Sequence, residues 1–347
     1  MREIGSEFHL NSCHQGINEY VTLMSGQREF VLSGRTGLGY IAEDLIRRHR
    51  ILSVALPAYC CGSMVEPFAS KQIAVHFYGQ ENFQSVAENS DAVLLMDYFG
   101  FENPQTLHQA LFCRERKIPL IVDATQTAFS RFETYKLCDY LVCSYRKWTD
   151  SLCAAVYCRE GFAVPFSTVQ APEYVWQWRQ ASWKKADYLQ NGTGEKQDFL
   201  NQYGCANHIL AQKHDRLAAA KEEIRNLENI SSDFLRQRRR ENAKFLIDKI
   251  PKELDGTVKL MFSRLQQEDC PLFLPIVLPE EKREEIRNRL IQMQIYCPVH
   301  WPIDRNYPYL ETTLHREEMS LICDQRYDLE DMQRQIKVLK QAIYGDE

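Results

Sequence analysis

The sequence predicts an α/β protein, with a mostly parallel central sheet flanked by helices and a smaller α/β domain at the C-terminal end. Three features point there. Short β-rich runs alternate with helical runs through the first 160 residues, the pattern of βαβ units. Those β-rich runs are continuously apolar, as in ILSVAL at 51–56 and DAVLLMDY at 91–98, which suits strands covered on both faces. A chain of 347 residues has room for two domains at roughly 100–200 residues each. The expected division is a large domain over 1–225 and a small one over 226–347.

Element by element, EFVLS at 29–33 ends a strand at a glycine-punctuated turn. Leu38, Ile41, Ala42, Leu45 and Ile46 then share one face of a helix over 36–49. The strand at 51–56 is stopped by Pro57; a helix at 60–70, a strand at 73–78, a strand at 91–98 and a helix at 104–116 follow. Pro119 opens PLIVDA at 119–124, and DYLVCSY at 139–145 and CAAVYC at 153–158 complete the strands of the first half. Residues 165–205 carry Trp176, Trp178 and Trp183 and a turn at Asn191–Gly194, and read as a connecting or substrate-facing segment. Residues 206–250 are mostly helical. Their run of Arg236, Arg238, Arg239 and Arg240 reads as a solvated helix face rather than a nucleic-acid patch, because acids and an apolar seam flank it. LFLPIVL at 272–278, a helix at 281–293, QIYCPVHW at 294–301 and a helix at 328–344 make the second domain.

Composition excludes several classes. A net charge of -5 and a pI near 6.0 do not suit a dedicated nucleic-acid binder. No apolar run is long enough for a transmembrane helix, and MREIGSEFHLN lacks the apolar core of a signal peptide. The twelve cysteines include no C-x-x-C pair, and several sit in apolar strand runs. They read as reduced, metal-free thiols in a cytoplasmic protein.

Three motifs carry chemistry. Ser33-Gly34-Arg35-Thr36-Gly37-Leu38-Gly39 lies at a strand-to-helix turn, where free N–H groups and the helix dipole suit a phosphate. A plain tight turn is the alternative, and the G-x-x-G-x-G spacing departs from the dinucleotide fingerprint of a Rossmann oxidoreductase. Asp123, in Asp-Ala-Thr-Gln after PLIV, is a carboxylate at the end of a buried strand, where open α/β sheets bind ligands; it could equally cap the next helix. Lys147, in Ser-Tyr-Arg-Lys-Trp after DYLVC, is either a Schiff-base lysine activated by a neighbouring cation or dry pocket, or a surface loop lysine.

The order of these pieces resembles fold-type-I pyridoxal-phosphate (PLP) enzymes, specifically the DegT/DnrJ/EryC1/StrS sugar aminotransferase family. The matching segments are SGRTGL at 33–38, LPAYCCGSMVEPF at 56–68, DYFGF at 97–101, IVDATQTAF at 121–129, DYLVCSYRKW at 139–148, YCPVHWP at 296–302 and SLICDQRYDLEDM at 320–332. The resemblance implies an aspartate aminotransferase-like fold, a homodimer, PLP as cofactor and transfer of an amino group to a keto-sugar nucleotide. Glutamate is the implied donor, and cell-surface polysaccharide or related sugar biosynthesis the implied setting. It implies that Lys147 holds the cofactor as a Schiff base and then moves the proton, that Asp123 pairs with the ring nitrogen, and that Gln126 lies near the phenolic oxygen. Tyr59 would stack on the ring. Gly34, Arg35, Thr36 and Ser144 would form the phosphate cup, with Arg35 where the family has threonine. His300 either faces substrate or is a packed strand histidine.

Two departures stand out. The family follows its lysine with a Gly-Gly pair, whereas this chain has Trp148-Thr149-Asp150-Ser151-Leu152-Cys153. The family's Gly-Tyr-Asn-Tyr-Arg-Met segment has only a poor counterpart, at Gln202–Asn207. Another PLP reaction type on the same fold, or a non-catalytic relative, are the competing expectations.

Overall fold

The computed structural model describes residues 3–10, 12–254, 256–301 and 314–345. Its centre is a seven-stranded sheet in the spatial order Gln27–Val31, Ala154–Cys158, Tyr140–Ser144, Leu120–Asp123, Val93–Leu95, Ser53–Pro57, Ala74–Tyr78. Only Ala154–Cys158 runs against its two neighbours; the five strands beyond it are mutually parallel. Period-two alternation sends Val122, Leu141 and Cys143 into one apolar core and Ile121, Val142 and Leu94 into another on the opposite face. The strands therefore read as continuous apolar runs because neither face meets water.

The first helix, Gly34–His49, lies directly on that sheet. Gly37 permits the approach: a Cβ there would stand 2.6 Å from Val156 Cγ1 and 2.8 Å from Val142 Cγ2. The glycine spacing that departs from the dinucleotide fingerprint thus has a packing cause.

The second unit is a three-stranded antiparallel sheet of Lys259–Leu260, Leu274–Val277 and Glu318–Leu321. The helices Ser232–Glu253, Glu280–Gln292 and Leu329–Tyr344 share its apolar core. The first residues of the chain belong to this neighbourhood, since Ile4–Gly5 pairs in parallel with Ile295–Tyr296. Among the described residues no helix is long and apolar enough to cross a membrane. Pro302, the last residue of the YCPVHWP run, lies outside the described residues.

Three expectations need correction. Residues 165–205 are not mainly a connection: Pro172–Asn191 and Lys196–Gln212 form a helical hairpin, turned at Gly192 with φ 68°. Tyr174, Trp178, Ala181 and Lys185 recur at helical spacing on its buried side, a periodicity masked by the other aromatic residues. The arginine run is not a solvated face. Arg239 is fully buried, Arg236 donates to Phe129 O, and Arg240 donates to Gln266 O at 2.8 Å, because this helix lies between the two units. The strand at 91–98 is only Val93–Leu95, because the chain then turns and Asp97 Oδ1 accepts the Asn103 N–H at 3.1 Å.

That turn gives a stability prediction. Burial pushes the Asp97 carboxyl up to about 7, with Glu102 and Asp269 adding to the rise and hydrogen bonds from Thr106 and Asn103 opposing it. A carboxyl raised in the folded state favours folding while it is protonated, and its contribution is lost as pH rises from about 4 through 7. Asp97→Asn removes this dependence. In denaturant melts the wild type should lose stability relative to the variant across that window, by up to a few kcal/mol at roughly 1.4 kcal/mol per pK unit, and then run level with it. Parallel curves from pH 4 to 8 would show that Asp97 titrates normally.

Candidate active site

The parallel strands end along one edge of the sheet, the side on which open α/β folds place their ligands. There a cavity of about 900 Å³ opens between the sheet, the second unit and the helical hairpin. Gly34, Arg35, Asp123, Gln126, Ser144, Lys147 and His300 all line it.

Ser33 caps the first helix, accepting from Thr36 N at 3.1 Å. Gly34 N and Arg35 N are left without a partner among the described residues. Opposite them, an ideal Cβ on Gly34 would lie 3.4 Å from Ser144 Cβ and 3.7 Å from Thr125 Oγ1. Helix start, strand end and adjoining turn thus form a narrow cradle with two free N–H groups and the Ser144 hydroxyl, the donor set an anion needs. The Arg35 side chain pairs with Glu66 at 3.1 Å. Thr36 lies outside this wall: its hydroxyl donates to His214 O at 2.7 Å within the core.

Asp123 ends its strand 5% exposed, and Oδ1 accepts the Thr125 N–H at 2.8 Å. Burial pushes its carboxyl up, against the pull of Thr125. Its hydrogen-bond partner is neutral, so a cation beside it would relieve the burial cost. Gln126 Oε1 accepts from Phe99 N at 2.6 Å, which leaves Nε2 as an open donor.

Lys147 sits in a single turn after the strand Tyr140–Ser144. Its side chain is exposed and forms no ion pair among the described residues. Tyr59 does not line the cavity; its hydroxyl donates to His300 O at 2.6 Å and its ring packs 5.0 Å from Trp301. His300 lies beyond the strand Ile295–Tyr296, in an irregular segment. It lines the cavity, while its ring packs against Phe99 and Trp301 and Nδ1 lies 3.3 Å from Ser320 Oγ.

Sequence reasoning passed over Thr125, which knits the site together. Its N–H serves Asp123, its Oγ1 accepts Ser144 N at 3.1 Å, and its carbonyl accepts Trp148 Nε1 at 2.8 Å. A threonine two residues after the strand-end Asp was the available signal. Trp148, one of the departures after Lys147, is fully buried and fills the floor behind that turn. Arg146 and Arg239 also line the cavity; the first stood beside Lys147 in sequence, and the second was hidden in a charged helix.

No protein-family model matches the sequence, and no curated protein matches it. Solved structures do match. Helicobacter pylori PseC, an aminotransferase of pseudoaminic acid biosynthesis, is 13% identical, with 99% of each chain covered and a TM-score of 0.65. The aminotransferase TlmJ from Streptoalloteichus hindustanus is 17% identical, over 91% of this chain and 86% of the other, with a TM-score of 0.62. S. venezuelae DesV, solved with a ketimine intermediate, is 14% identical over 100% of this chain and 92% of the other, with a TM-score of 0.60. At these identities the likeness is one of fold, and this chain has the fold of those aminotransferases.

Proposed function

We propose that this chain is a PLP-dependent aminotransferase that aminates a keto-sugar nucleotide, with glutamate as donor, and works as a cytoplasmic homodimer. One observation carries the reading: an anion cradle at Gly34 and Ser144, a buried Asp123 and a Lys147 that, among the described residues, have no ion-pair partner share one cavity at the sheet edge. The donors fit the group. The cradle suits a phosphate ester, Asp123 suits a protonated ring nitrogen, and Gln126 Nε2 is the donor available to a phenolic oxygen. A structural neighbour adds support, since DesI was solved in the presence of its TDP-sugar product. Trp176 and Trp183 lie seven residues apart on one helix, each more than half exposed, and suit burial by a second copy.

When bound, PLP supplies an electron sink that stabilises negative charge on the substrate carbon. The chain does the rest. Lys147 Nζ would hold the cofactor and would carry the proton taken from that carbon. Asp123 keeps the ring nitrogen protonated. Gly34 N, Arg35 N and Ser144 Oγ anchor the phosphate, with the Arg35 guanidinium engaged by Glu66. The test is the visible spectrum of the purified protein before and after borohydride, with glutamate added to a separate, unreduced sample. Attached PLP should be bleached by borohydride, and glutamate should release 2-oxoglutarate in a single half-reaction. A colourless protein that takes up no PLP overturns the reading.

Gly34 tests the cradle separately. Its φ is not in the left-handed region and a Cβ there meets ordinary contacts, so Gly34→Val should still fold. The added methyl groups fill the space for the phosphate. PLP affinity should fall at least tenfold, about 1.4 kcal/mol, in a fluorescence titration, with the melting temperature nearly unchanged. Wild-type affinity would remove this loop from the site.

A further inference from the structure

We propose that Thr125 is a positioning residue for the cofactor, its hydroxyl serving Asp123 at the ring end of the site and Ser144 at the phosphate end. This rests on the aminotransferase reading and deepens it, by naming the side chain that fixes Asp123 relative to the anion cradle.

Asp123 is a buried carboxyl that forms no ion pair among the described residues, and burial pushes it up. The titratable groups that feel it are the thiols of Cys60 and Cys143. Burial pushes both up, Cys60 to about 12, so both stay neutral and neither supplies a countercharge. What opposes the burial cost comes from Thr125. Its hydroxyl has the larger pull, and its N–H, which Oδ1 accepts at 2.8 Å, has the smaller. Hydrogen bonds to the charged form of a carboxyl favour that form.

The same hydroxyl reaches the other end of the site. Its oxygen accepts the Ser144 N–H at 3.1 Å. That bond uses a lone pair and leaves the single hydroxyl hydrogen for the carboxylate. The oxygen also lies 3.7 Å from where a Cβ on Gly34 would stand, so it borders the cradle. The strands that end in Asp123 and Ser144 are neighbours in the sheet, and a hydroxyl bridging their ends sets the spacing between the two. The backbone completes the fixture. The Thr125 carbonyl accepts Trp148 Nε1 at 2.8 Å, one residue past Lys147. Valine has the shape of threonine and lacks only the hydroxyl, which makes it the discriminating substitution.

The test is PLP affinity across pH, by fluorescence titration at constant ionic strength, in the wild type, Thr125→Val and Thr125→Ser. Without the hydroxyl the Asp123 carboxyl of the cofactor-free chain rises further, so PLP binding should weaken earlier as the pH falls. The ratio of wild-type to Thr125→Val affinity should grow about tenfold from mildly alkaline to acid pH, the change that one pK unit gives. Titration of the phosphate cancels in that ratio. Thr125→Ser keeps the hydroxyl and should follow the wild type. In the Asp123→Asn background, Thr125→Val should change affinity by the same factor at every pH. A residue that only braced the turn would cost the same at every pH in both backgrounds. A ratio independent of pH, one that grows as strongly without the Asp123 charge, or a Thr125→Ser variant that behaves like Thr125→Val overturns the proposal. If circular dichroism shows that Thr125→Val does not fold, Thr125→Ala, which loses the hydroxyl and adds no branch, decides in its place. The outcome separates from that of the aminotransferase reading. A protein that binds PLP with a flat ratio loses only the role of Thr125, whereas one that takes up no PLP loses the reading itself.

Discussion

Lys147→Ala should leave a folded protein with no measurable amino transfer, a loss of at least roughly 1,000-fold or about 4 kcal/mol of barrier. The folding half of this expectation follows from exposure. The Lys147 side chain reaches into the cavity and forms no ion pair among the described residues, so its removal should change stability by no more than about 0.5 kcal/mol. The activity half follows from position, because Lys147 Nζ is the unpaired amine of a wall that also carries the anion cradle and Asp123. Borohydride reduction of the wild type, digestion and mass spectrometry should place the pyridoxyl group on the peptide containing Lys147. Two other lysines make this a sharp test. Lys196 also lines the cavity, but Glu3 and Tyr296 hold it. Burial lowers the Lys185 amine to about 7, which on its own would nominate a reactive amine, yet Lys185 lies outside the cavity wall and donates to Glu7 O. A label on either one would sink the assignment of Lys147.

What the sequence disclosed follows from distance along the chain. Gly34, Asp123, Ser144 and Lys147 lie at or within three residues of parallel strand ends, so recognising the apolar runs also placed these residues along one edge. The strands were readable because both faces are buried, which keeps the apolar signal unbroken. What escaped depends on contacts between distant segments. Thr36 looks like a phosphate ligand beside Gly34, but the helix turns its hydroxyl toward His214 O, 178 residues away. Tyr59 follows a strand end like the others, yet its hydroxyl meets His300 O, 241 residues on, and its ring joins an aromatic group with Tyr98 and Trp301. Arg239 sits among charged neighbours in a helix, and only the second unit's loop at Pro271 and Leu272 reveals it as buried. The hairpin at 172–212 shows the same limit, because its buried face became legible only against the core that receives it.

Asp123→Asn should keep the fold, lower PLP affinity about tenfold, roughly 1.4 kcal/mol, and slow turnover at least a hundredfold, about 3 kcal/mol. The side chain is almost isosteric, and an asparagine Oδ1 can still accept the Thr125 N–H that Asp123 accepts at 2.8 Å, so the turn at Thr125 survives. Only the charge is lost. In the chain alone, burial pushes the Asp123 carboxyl up, with the Thr125 hydrogen bonds opposing it. A protonated ring nitrogen in contact reverses that balance and draws the carboxyl below its ordinary value of about 3.9. The sign of the pH effect follows. With the carboxyl raised in the cofactor-free chain and lowered in the complex, the gain in binding is whole above the raised value and fades as pH falls from there through the lowered one. The ratio of wild-type to variant PLP affinity should therefore be largest near neutral pH and shrink toward one as the medium becomes acid. Taking the ratio removes the titration of the phosphate, which both proteins share. Neutral asparagine holds the ring nitrogen's proton poorly, so the loss in turnover should exceed the loss in affinity, and single-turnover mixing with glutamate should locate it in proton abstraction. An asparagine variant with wild-type turnover, or an affinity ratio that does not change with pH, would mean that Asp123 supports the turn at Thr125 and does not hold the ring nitrogen.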